Sequence, residues 1–350
     1  MTKPPDTRPL MRRLFEPKSL DVMAPVPMVA AYAILAVWTA VVLFPLYWVV
    51  VTSLKIEVDV DSGPFYVPFV DFKPTLDAWN FMLLHNNTLG PYLNSIEVAL
   101  ASTLLAVLIG SLAAYALVRI RFRVKVAAIL TFIVLVFAAI AAVVEFAVPW
   151  PIAIAMAVAL FLLALATLVR RFRAAVGNND IEFWMISNRI MPPIVAVLPI
   201  YVMFQHLRLL DTRFALISTY TAVNLPIVVW LTRDFFAGIP LEIEESAEID
   251  GASKFRVFFT IALPLVRSGL AATFLLILIL SWNEYLLALF LSNANAQTMP
   301  VLVSAQNTTR GPQWWYMSVL IVIMIAPVIV VATFLQKHIA RGLLAGAVKG

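Results

Sequence analysis

The sequence has no cysteine and only three histidines among its 350 residues. Without cysteine, neither disulfides nor thiolate metal sites can form. The histidines, His85, His206 and His338, are far apart in the chain, which argues against a histidine metal cluster. No lysine follows a glycine, so the G-x-x-x-x-G-K-[ST] phosphate-binding loop is absent and the chain does not bind ATP by that route.

Charge is also scarce. Only 13% of the residues are charged and 62% are apolar, with a mean hydropathy of +0.93. Soluble globular chains have about 25% charged and about 45–50% apolar residues. This composition excludes a water-soluble enzyme, a disordered regulator and a fibrous protein. The abundance of Leu, Ile, Val, Ala and Phe favours an all-α membrane protein over a barrel.

Eight apolar segments come close to the length of about 20 residues that a membrane helix needs. The first is too long for a signal peptide and is interpreted as an uncleaved anchor. The third and fourth are joined by a short turn and form an antiparallel hairpin. The predicted spans are 28–54, 92–118, 126–144, 150–169, 190–207, 214–236, 265–291 and 314–335.

The basic residues orient these spans. Of the 25 Lys and Arg residues, 20 fall in the two tails and in the loops that lie on the same side of the membrane as the tails in an eight-span arrangement. Because cytoplasmic loops collect Lys and Arg, both termini are predicted to be cytoplasmic. The net charge of +5 therefore reflects membrane orientation, and it does not indicate a nucleic-acid partner.

The segment 238–264 is predicted to form a helix, a glycine turn and a second helix on the cytoplasmic side. Pro240 suits a first helical turn, Asp250-Gly251 is a turn signal, and Ser253 can cap the second helix. A spacing of four places Glu244 and Glu248 on one face of the first helix. In the second helix the predicted amphipathic face consists of Phe255, Phe258, Phe259 and Ala262.

This segment is unusually acidic for a cytoplasmic loop. Six of the 20 acidic residues fall between Asp234 and Asp250. Acidic groups facing an anionic inner leaflet are unfavourable, and a membrane-surface helix would present Lys and Arg. A protein partner with basic residues fits this pattern better than the alternative of a solvated loop.

The spacing in this segment resembles the EAA signature of ABC importer permeases. The matching residues are Glu245-Ser246-Ala247, then Gly251, then Ile261-x-Leu263-Pro264, with Ser246 in place of alanine. Other stretches resemble the carbohydrate (maltose-type) branch of that family. They are Asn94-Ser95, Arg189–Pro193, Leu209–Thr212, Asn224–Pro226, Ser281–Tyr285 and Arg341–Gly350.

The resemblance implies a six-span permease core, to which this chain adds a transmembrane hairpin. The hairpin is expected to face lipid, or alternatively to be a docking surface for another protein. The predicted regions are a cytoplasmic tail 1–27, two spans with an external loop 28–125, the hairpin 126–176, and the core 186–350 with its coupling loop 238–264 and tail 336–350.

In the family, the EAA loop forms a coupling helix that sits in a groove of a separate cytoplasmic ATPase. The resemblance implies that Glu245 pairs with a basic ATPase residue and that Ala247 and Gly251 allow close packing, with Ser246 between them. Ile261, Leu263 and Pro264 would transmit motion into the next span, the alternative being ordinary packing and a bend. In the tail, Gly346 and Lys349 would contact the ATPase.

The implied partners are two cytoplasmic ABC ATPases, a second and different permease, an external solute-binding protein and a carbohydrate-like solute. The chain itself is expected to bind no cofactor and to catalyse no reaction, since ATP and Mg²⁺ would bind the ATPase. The expected location is the plasma (inner) membrane of a bacterial-type cell, with several spans.

Polar residues within the spans are candidates for the solute pathway, because buried polar groups are costly in lipid. These are Ser218, Thr221 and Asn224 near the midplane, and Asn283 and Glu284 near the outer face. The alternatives are interhelical hydrogen bonds for the first three and, for Glu284, a side chain that extends to water.

Three other functions are alternatives. An ion-coupled secondary transporter would place carboxylates or histidines near the midplane. A lipid-modifying membrane enzyme would cluster such residues in the membrane. The spans have essentially no carboxylates or histidines at their centres, which argues against both. An importer of a non-carbohydrate solute, such as a polyamine or a phosphate ester, stays open because the EAA signature is shared across solute classes.

Overall fold

A computed structural model describes residues 9–15, 23–172, 174–190, 193–309 and 311–347. The described helices are α1 (Leu10–Phe15), α2 (Pro25–Thr52), α3 (Glu57–Asp61), α4 (Asp77–Asn80), α5 (Leu89–Arg119), α6 (Val126–Val144), α7 (Trp150–Ala166), α8 (Asn178–Ile190), α9 (Pro193–His206), α10 (Arg213–Ala237), α11 (Leu241–Ile249), α12 (Lys254–Val257), α13 (Leu263–Leu265), α14 (Arg267–Trp282), α15 (Leu286–Leu291), α16 (Met299–Ala305) and α17 (Trp314–Ala347). The described strands are β1 (Val124–Lys125), β2 (Ala175–Val176), β3 (Asn307–Thr308) and β4 (Gly311–Pro312). Wide π-helical turns occur at Phe81–His85 and Phe258–Ala262, and a 3₁₀ turn at Val169–Arg171.

The chain divides into two compact units. One consists of residues 1–86 with 306–323, and the other of residues 87–305 with 324–350. Helix α17 begins in the first unit and continues into the second.

Within the described residues, five helices are long and apolar enough to cross a membrane: α2, α5, α6, α10 and the first part of α17. The chain is therefore a helical, multi-span membrane protein. Residues 254–265 and α14 form a pair bent by 81°, which makes a sixth span if the pair is counted as one. Helices α7 and α9 are apolar but shorter, so the count of eight spans stays a prediction.

The span predicted at 265–291 is broken, which corrects the expectation of one continuous helix. Helix α14 ends at Trp282 and α15 begins at Leu286. In the gap, the Asn283 side-chain amide donates to Ile279 O at 2.9 Å, and Glu284 Oε1 accepts from Leu287 N at 3.0 Å. The Glu284 carboxylate thus supplies a partner to an N–H group that the start of a helix leaves unbonded, and the Asn283 side chain adds a second bond to Ile279 O, which also accepts from Asn283 N.

Helices α5 and α10 form the centre of the second unit. A Cβ on Gly110 of α5 would lie 2.5 Å from Val228 Cγ1 of α10, and a Cβ on Gly269 of α14 would meet the ring of Phe235 at the same distance. Small residues at helix interfaces allow such close approach in membranes. The two glycines therefore set how closely these three helices pack.

The predicted hairpin is present as α6 and α7, and it closes on itself. Strands β1 and β2 pair antiparallel at its base, with Val124 opposite Val176 and Lys125 opposite Ala175. The rings of Phe132 and Phe161 meet with centroids 5.8 Å apart. No residue of α6 is buried, and in α7 only Ala153 is. The exposed apolar surface of both helices suits contact with lipid.

In the first unit, the polar segment that follows α2 folds around a buried lysine. Lys55 Nζ donates to Phe65 O at 2.5 Å and lies 5.0 Å from the centroid of the Trp48 ring and 5.2 Å from that of Phe72. Burial lowers the pKa of the Lys55 amine, and the negative charges of Asp59 and Asp71 raise this pKa by a smaller amount. The carbonyl and the two ring faces stabilise the cation in place of water.

Candidate coupling element and solute pathway

The segment 238–264 forms the helix–turn–helix that its sequence predicts. Helix α11 starts directly after Pro240 and ends before Asp250. Gly251 has a φ of +85°, which an L side chain rarely adopts. Ser253 Oγ accepts from Arg256 N at 3.3 Å and caps α12. The glycine turn and the serine cap are both confirmed.

The predicted amphipathic face of the second helix is wrong for half of its members. Phe258 and Ala262 are buried, but Phe255 is 73% exposed and Phe259 is 45% exposed. The wide turn at Phe258–Ala262 changes which side chains after Phe258 face inward, whereas Phe255 lies before that turn, in the first turn of α12.

Glu244 and Glu248 lie four positions apart in one α-helix, as predicted, but their surroundings differ. Glu248 is exposed, and its carboxylate lies 3.3 Å from the ammonium group of Lys254. Glu244 is buried, with 3% of its surface exposed. Its neighbour Glu245 is exposed, as is Glu242. Three acids of α11 thus point outward, and one points into the protein.

The buried Glu244 is held by two residues near the end of α5. Arg119 Nη2 and Nε donate to its Oε1 at 2.7 and 2.9 Å, and Tyr115 Oη lies 2.7 Å from its Oε2. Sequence reasoning missed both partners, since Arg119 counted only as one of several basic residues at a span end. The partners lie more than a hundred positions away along the chain, so no local pattern indicates the pair.

The other residues matched to the EAA signature are distributed around this element. Ser246 is exposed and Ala247 is half-buried on α11. Ile261 and Leu263 are half-buried, and Leu263 packs against the core that includes Phe258. Pro264 is exposed, two residues before the 81° bend. In the predicted tail contact, Gly346 lies in α17, whereas Lys349 is outside the described residues.

The predicted pathway residues of α10 make hydrogen bonds within the protein. Asn224 is buried, and its side-chain amide donates to Ser281 Oγ of α14 at 3.0 Å. Thr221 Oγ1 is buried between Ile217 O at 2.7 Å and Ser102 O of α5 at 3.4 Å. Ser218 is half-buried and donates to Phe214 O at 2.7 Å. Thr221 and Asn224 thus support the alternative of interhelical hydrogen bonds.

Asn283 and Glu284 lie in the break between α14 and α15. Asn283 is exposed and Glu284 is half-buried. The Glu284 carboxylate accepts from Leu287 N, and the Tyr220 hydroxyl of α10 lies 3.3 Å from Glu284 O. The structure therefore gives Glu284 a capping role at the start of α15.

A further network, which the sequence did not reveal, centres on Asp211 before α10. Its carboxylate accepts from the backbone N–H groups of Asn293, Asn295 and Ala296 at 2.7 to 3.2 Å. Burial raises the pKa of Asp211, but these bonds outweigh it and hold the pKa below its usual value. The stretch Leu209–Thr212 was noticed only for its family resemblance.

Comparison with known families decides the class of protein. The profile of the family described as "Binding-protein-dependent transport system inner membrane component" matches residues 106–344. The chain belongs to this family. The match begins within α5 and includes the hairpin, α10, the coupling element and most of α17.

Curated relatives of this permease cover nearly its full length. The sulfoquinovosyl glycerol transport system permease protein SmoH of Agrobacterium fabrum is 30% identical, over 88% of this chain and 89% of its own. The trehalose/maltose transport system permease protein MalG of Thermococcus litoralis is 29% identical over 88% and 92%. The diacetylchitobiose uptake system permease protein NgcG of Streptomyces coelicolor is 26% identical over 90% and 87%.

Among solved structures, this permease has the fold found in a bacterial ABC transporter involved in the import of the acidic polysaccharide alginate. The TM-score is 0.58 with 19% sequence identity, covering 89% of this chain and 96% of the other. Family and fold together identify an ABC transporter permease, a multi-pass protein of the inner membrane and a transport component.

Proposed function

We propose that this permease is the transmembrane subunit of an importer driven by a separate ABC ATPase, which docks on α11 and the Gly251 turn. The exposed surface around that turn carries the proposal. Ile249 is 86% exposed and Phe255 is 73% exposed on either side of Gly251, and Glu245 is exposed on the same short helix. Apolar groups left uncovered beside charges are typical of protein interfaces.

Gly251 itself favours a close partner. A Cβ at this position would meet nothing within 4 Å in the chain, so the space beside the turn is open to another protein. Glu245 then pairs with a basic residue of the ATPase, and the small side chains of Ser246 and Ala247 permit close packing. Ile261, Leu263 and Pro264 pass the motion toward α14, and Gly346 with Lys349 forms a second contact.

The proposed topology has eight spans with both termini in the cytoplasm. The distribution of Lys and Arg supports it, and it places the coupling element on the ATPase side. The hairpin α6–α7 is proposed to face lipid, beside a six-span core, because none of its helical residues except Ala153 is buried. Two ATPases, a second permease and an external binding protein complete the assembly, and ATP with Mg²⁺ binds the ATPases.

The proposed solute is a sugar, a polyol or a related carbohydrate. The proposal is supported by relatives whose names include trehalose/maltose, diacetylchitobiose and sulfoquinovosyl glycerol. Each of these solutes contains a sugar unit. Of the candidate pathway residues, Ser218, Asn283 and Glu284 are incompletely buried. Thr221 and Asn224 support the pathway by fixing the helices around it.

The test is ATP hydrolysis by the purified complex with its binding protein and a panel of solutes. We expect maltose, trehalose, chitobiose or a glycosyl glycerol to stimulate hydrolysis when loaded on the binding protein. Stimulation only by a polyamine or a phosphate ester would overturn the carbohydrate assignment and leave the importer. No stimulation by any loaded binding protein would overturn the importer itself.

A substitution at Gly251 tests the docking element. Gly251→Trp is expected to abolish ATPase co-purification and uptake while leaving membrane insertion intact. The matched control is Gly63→Trp, because Gly63 also has a positive φ and open surroundings but lies in the segment after α2. Normal uptake by Gly251→Trp would contradict the docking assignment.

A further inference from the structure

Two adjacent glutamates of α11 have opposite surroundings. The Glu245 side chain is exposed, whereas that of Glu244 is only 4% exposed. Successive residues of an α-helix point about 100° apart around its axis, so one short helix can present an acid to a partner and another to its own protein. The inward-facing acid has no place in the proposed ATPase contact.

Both oxygens of the inward-facing carboxylate are bound to α5. Arg119 reaches Glu244 Oε1 through two nitrogens, and Tyr115 donates to Oε2. The Arg119 side chain is itself only 13% exposed. Charge-assisted bonds that use both carboxylate oxygens fix orientation as well as distance. The first turn of α11 is thus held firmly to the cytoplasmic end of α5.

The same guanidinium also binds the end of α10. Arg119 Nη2 donates to Phe236 O at 3.2 Å and to Ile239 O at 2.8 Å. The last carbonyls of a helix lack partners within it and favour a cation. One arginine therefore connects α5, the end of α10 and the start of α11.

Three aromatic rings pack beside this ion pair. The ring centroids of Tyr115, Phe236 and Phe258 lie 5.2 to 5.9 Å from one another. Phe258 belongs to the wide turn in the second half of the coupling element. Both halves of that element are thereby packed against the α5–α10 pair.

The covalent route out of the coupling element is less direct. The chain passes from α13 to α14 through Val266 with a bend of 81°. The α5–α10 pair, in contrast, packs closely enough that Gly110 leaves no room for a Cβ beside Val228. A displacement of α11 therefore reaches the closely packed α5–α10 pair through Arg119. It reaches α14 only through the bend at Val266.

Resting on the function proposed above, we propose that Tyr115, Arg119 and Glu244 are positioning residues that carry the motion of α11 into the α5–α10 pair. In this division of roles, Glu245 holds the ATPase, and Glu244 links the ATPase-bound helix to the spans. The acidic stretch of the sequence therefore serves two separate contacts.

The test is the amount of solute taken up per ATP hydrolysed by the reconstituted complex with its binding protein. Glu244→Gln keeps the size of the side chain and removes its charge. We expect the complex to assemble and to hydrolyse ATP, while uptake per ATP falls about tenfold, as suits the loss of a charged hydrogen-bonding partner. Tyr115→Phe, which removes one hydroxyl, is expected to lower the ratio about threefold.

The matched control is Glu145→Gln, an exposed acid in the turn of the hairpin and outside the proposed docking helix, for which uptake per ATP should equal that of the wild type. The ratio separates coupling from stability, because an unstable variant yields fewer complexes with an unchanged ratio. A wild-type ratio in assembled Glu244→Gln complexes would overturn the inference.

A variant without buried charge keeps the test decisive if Glu244→Gln does not assemble. The double variant Arg119→Met, Glu244→Met removes both charges together, so neither charge stays buried without its counter-ion, and such replacements are often tolerated. A lowered ratio in this variant and in Tyr115→Phe supports the inference, and a wild-type ratio in both overturns it. Glu245→Gln separately tests ATPase docking, and its readout is co-purification of the ATPase. Retention of the ATPase by this variant would count against the proposed function. The uptake ratio of Glu244→Gln does not depend on that result.

Discussion

Two pairs of apolar helices in this permease differ sharply in their surroundings. Helices α5 and α10 pack along their length, and they bury polar residues such as Ser102, Thr103 and Asn224. Helices α6 and α7 contact each other at Phe132 and Phe161, and none of their residues except Ala153 is buried. Yet α6 is more apolar than either α5 or α10.

The difference teaches that, in a membrane, the most apolar segment is not the most buried. Lipid tails are as apolar as leucine, so helix association relies on close packing and interhelical hydrogen bonds. Gly110 supplies the close packing, and the bond from Asn224 to Ser281 is one of the hydrogen bonds. The hairpin helices contain no glycine, and their one hydroxyl side chain, Thr131, donates to Ala127 O of its own helix, so their composition suits contact with lipid.

The largest expected effect is that of Gly110→Leu. The new side chain would overlap Val228 and force α5 away from α10, at a cost of about 1–3 kcal/mol or more for an overpacked interface. The matched control is Ala138→Leu on the exposed surface of α6. Thermal unfolding of the detergent-purified permease measures both, and equal melting temperatures would break the contrast between the helix pairs.

A smaller effect is expected for Asn224→Ala. Loss of its bond to Ser281 should cost about 1 kcal/mol, the scale of interhelical hydrogen bonds in membranes. Ser281→Ala should cost a similar amount, and the double variant less than the sum, because the two side chains share one bond. A changed apparent affinity for the solute with full stability would instead place Asn224 in the pathway.

Acid should weaken the segment that precedes α10 through Asp211. Its pKa lies below the usual 3.8, so its contribution to stability is fully present above pH 3.8 and is lost as the pH falls through the lower, folded-state pKa. Asp211→Asn is expected to lower the melting temperature at pH 7, with a difference from wild type that narrows below pH 3.8. Glu145→Gln, in the turn of the hairpin, is the control and should behave like the wild type throughout.

The smallest expected effect is that of removing the hairpin. Residues 126–174 can be replaced by Asn-Gly, because Lys125 and Ala175 already pair across an antiparallel ladder that a two-residue turn can close. Uptake in proteoliposomes should stay close to that of the full chain. A loss of uptake with normal assembly would assign the hairpin a docking role.

Local chemistry made part of the coupling element predictable. Gly251 and Ser253 follow rules that act within a few residues, and the structure has both features as expected. The burial of Glu244 depends on Arg119, which is distant in the sequence, and no periodicity of α11 indicates it. The exposure of Phe259 and the break after Trp282 depart from patterns that assume a regular helix, because a wide turn begins at Phe258 and the Glu284 side chain caps a new helix.

The bend at Val266 has a mechanical consequence. Helix α14 has 16 residues and is therefore about 24 Å long. Because residues 254–265 meet it at 81°, a displacement along their axis acts almost at right angles to α14. A shift of about 2 Å there would tilt α14 by about 5° over that length, so a linear displacement at the bend would become a rotation of α14.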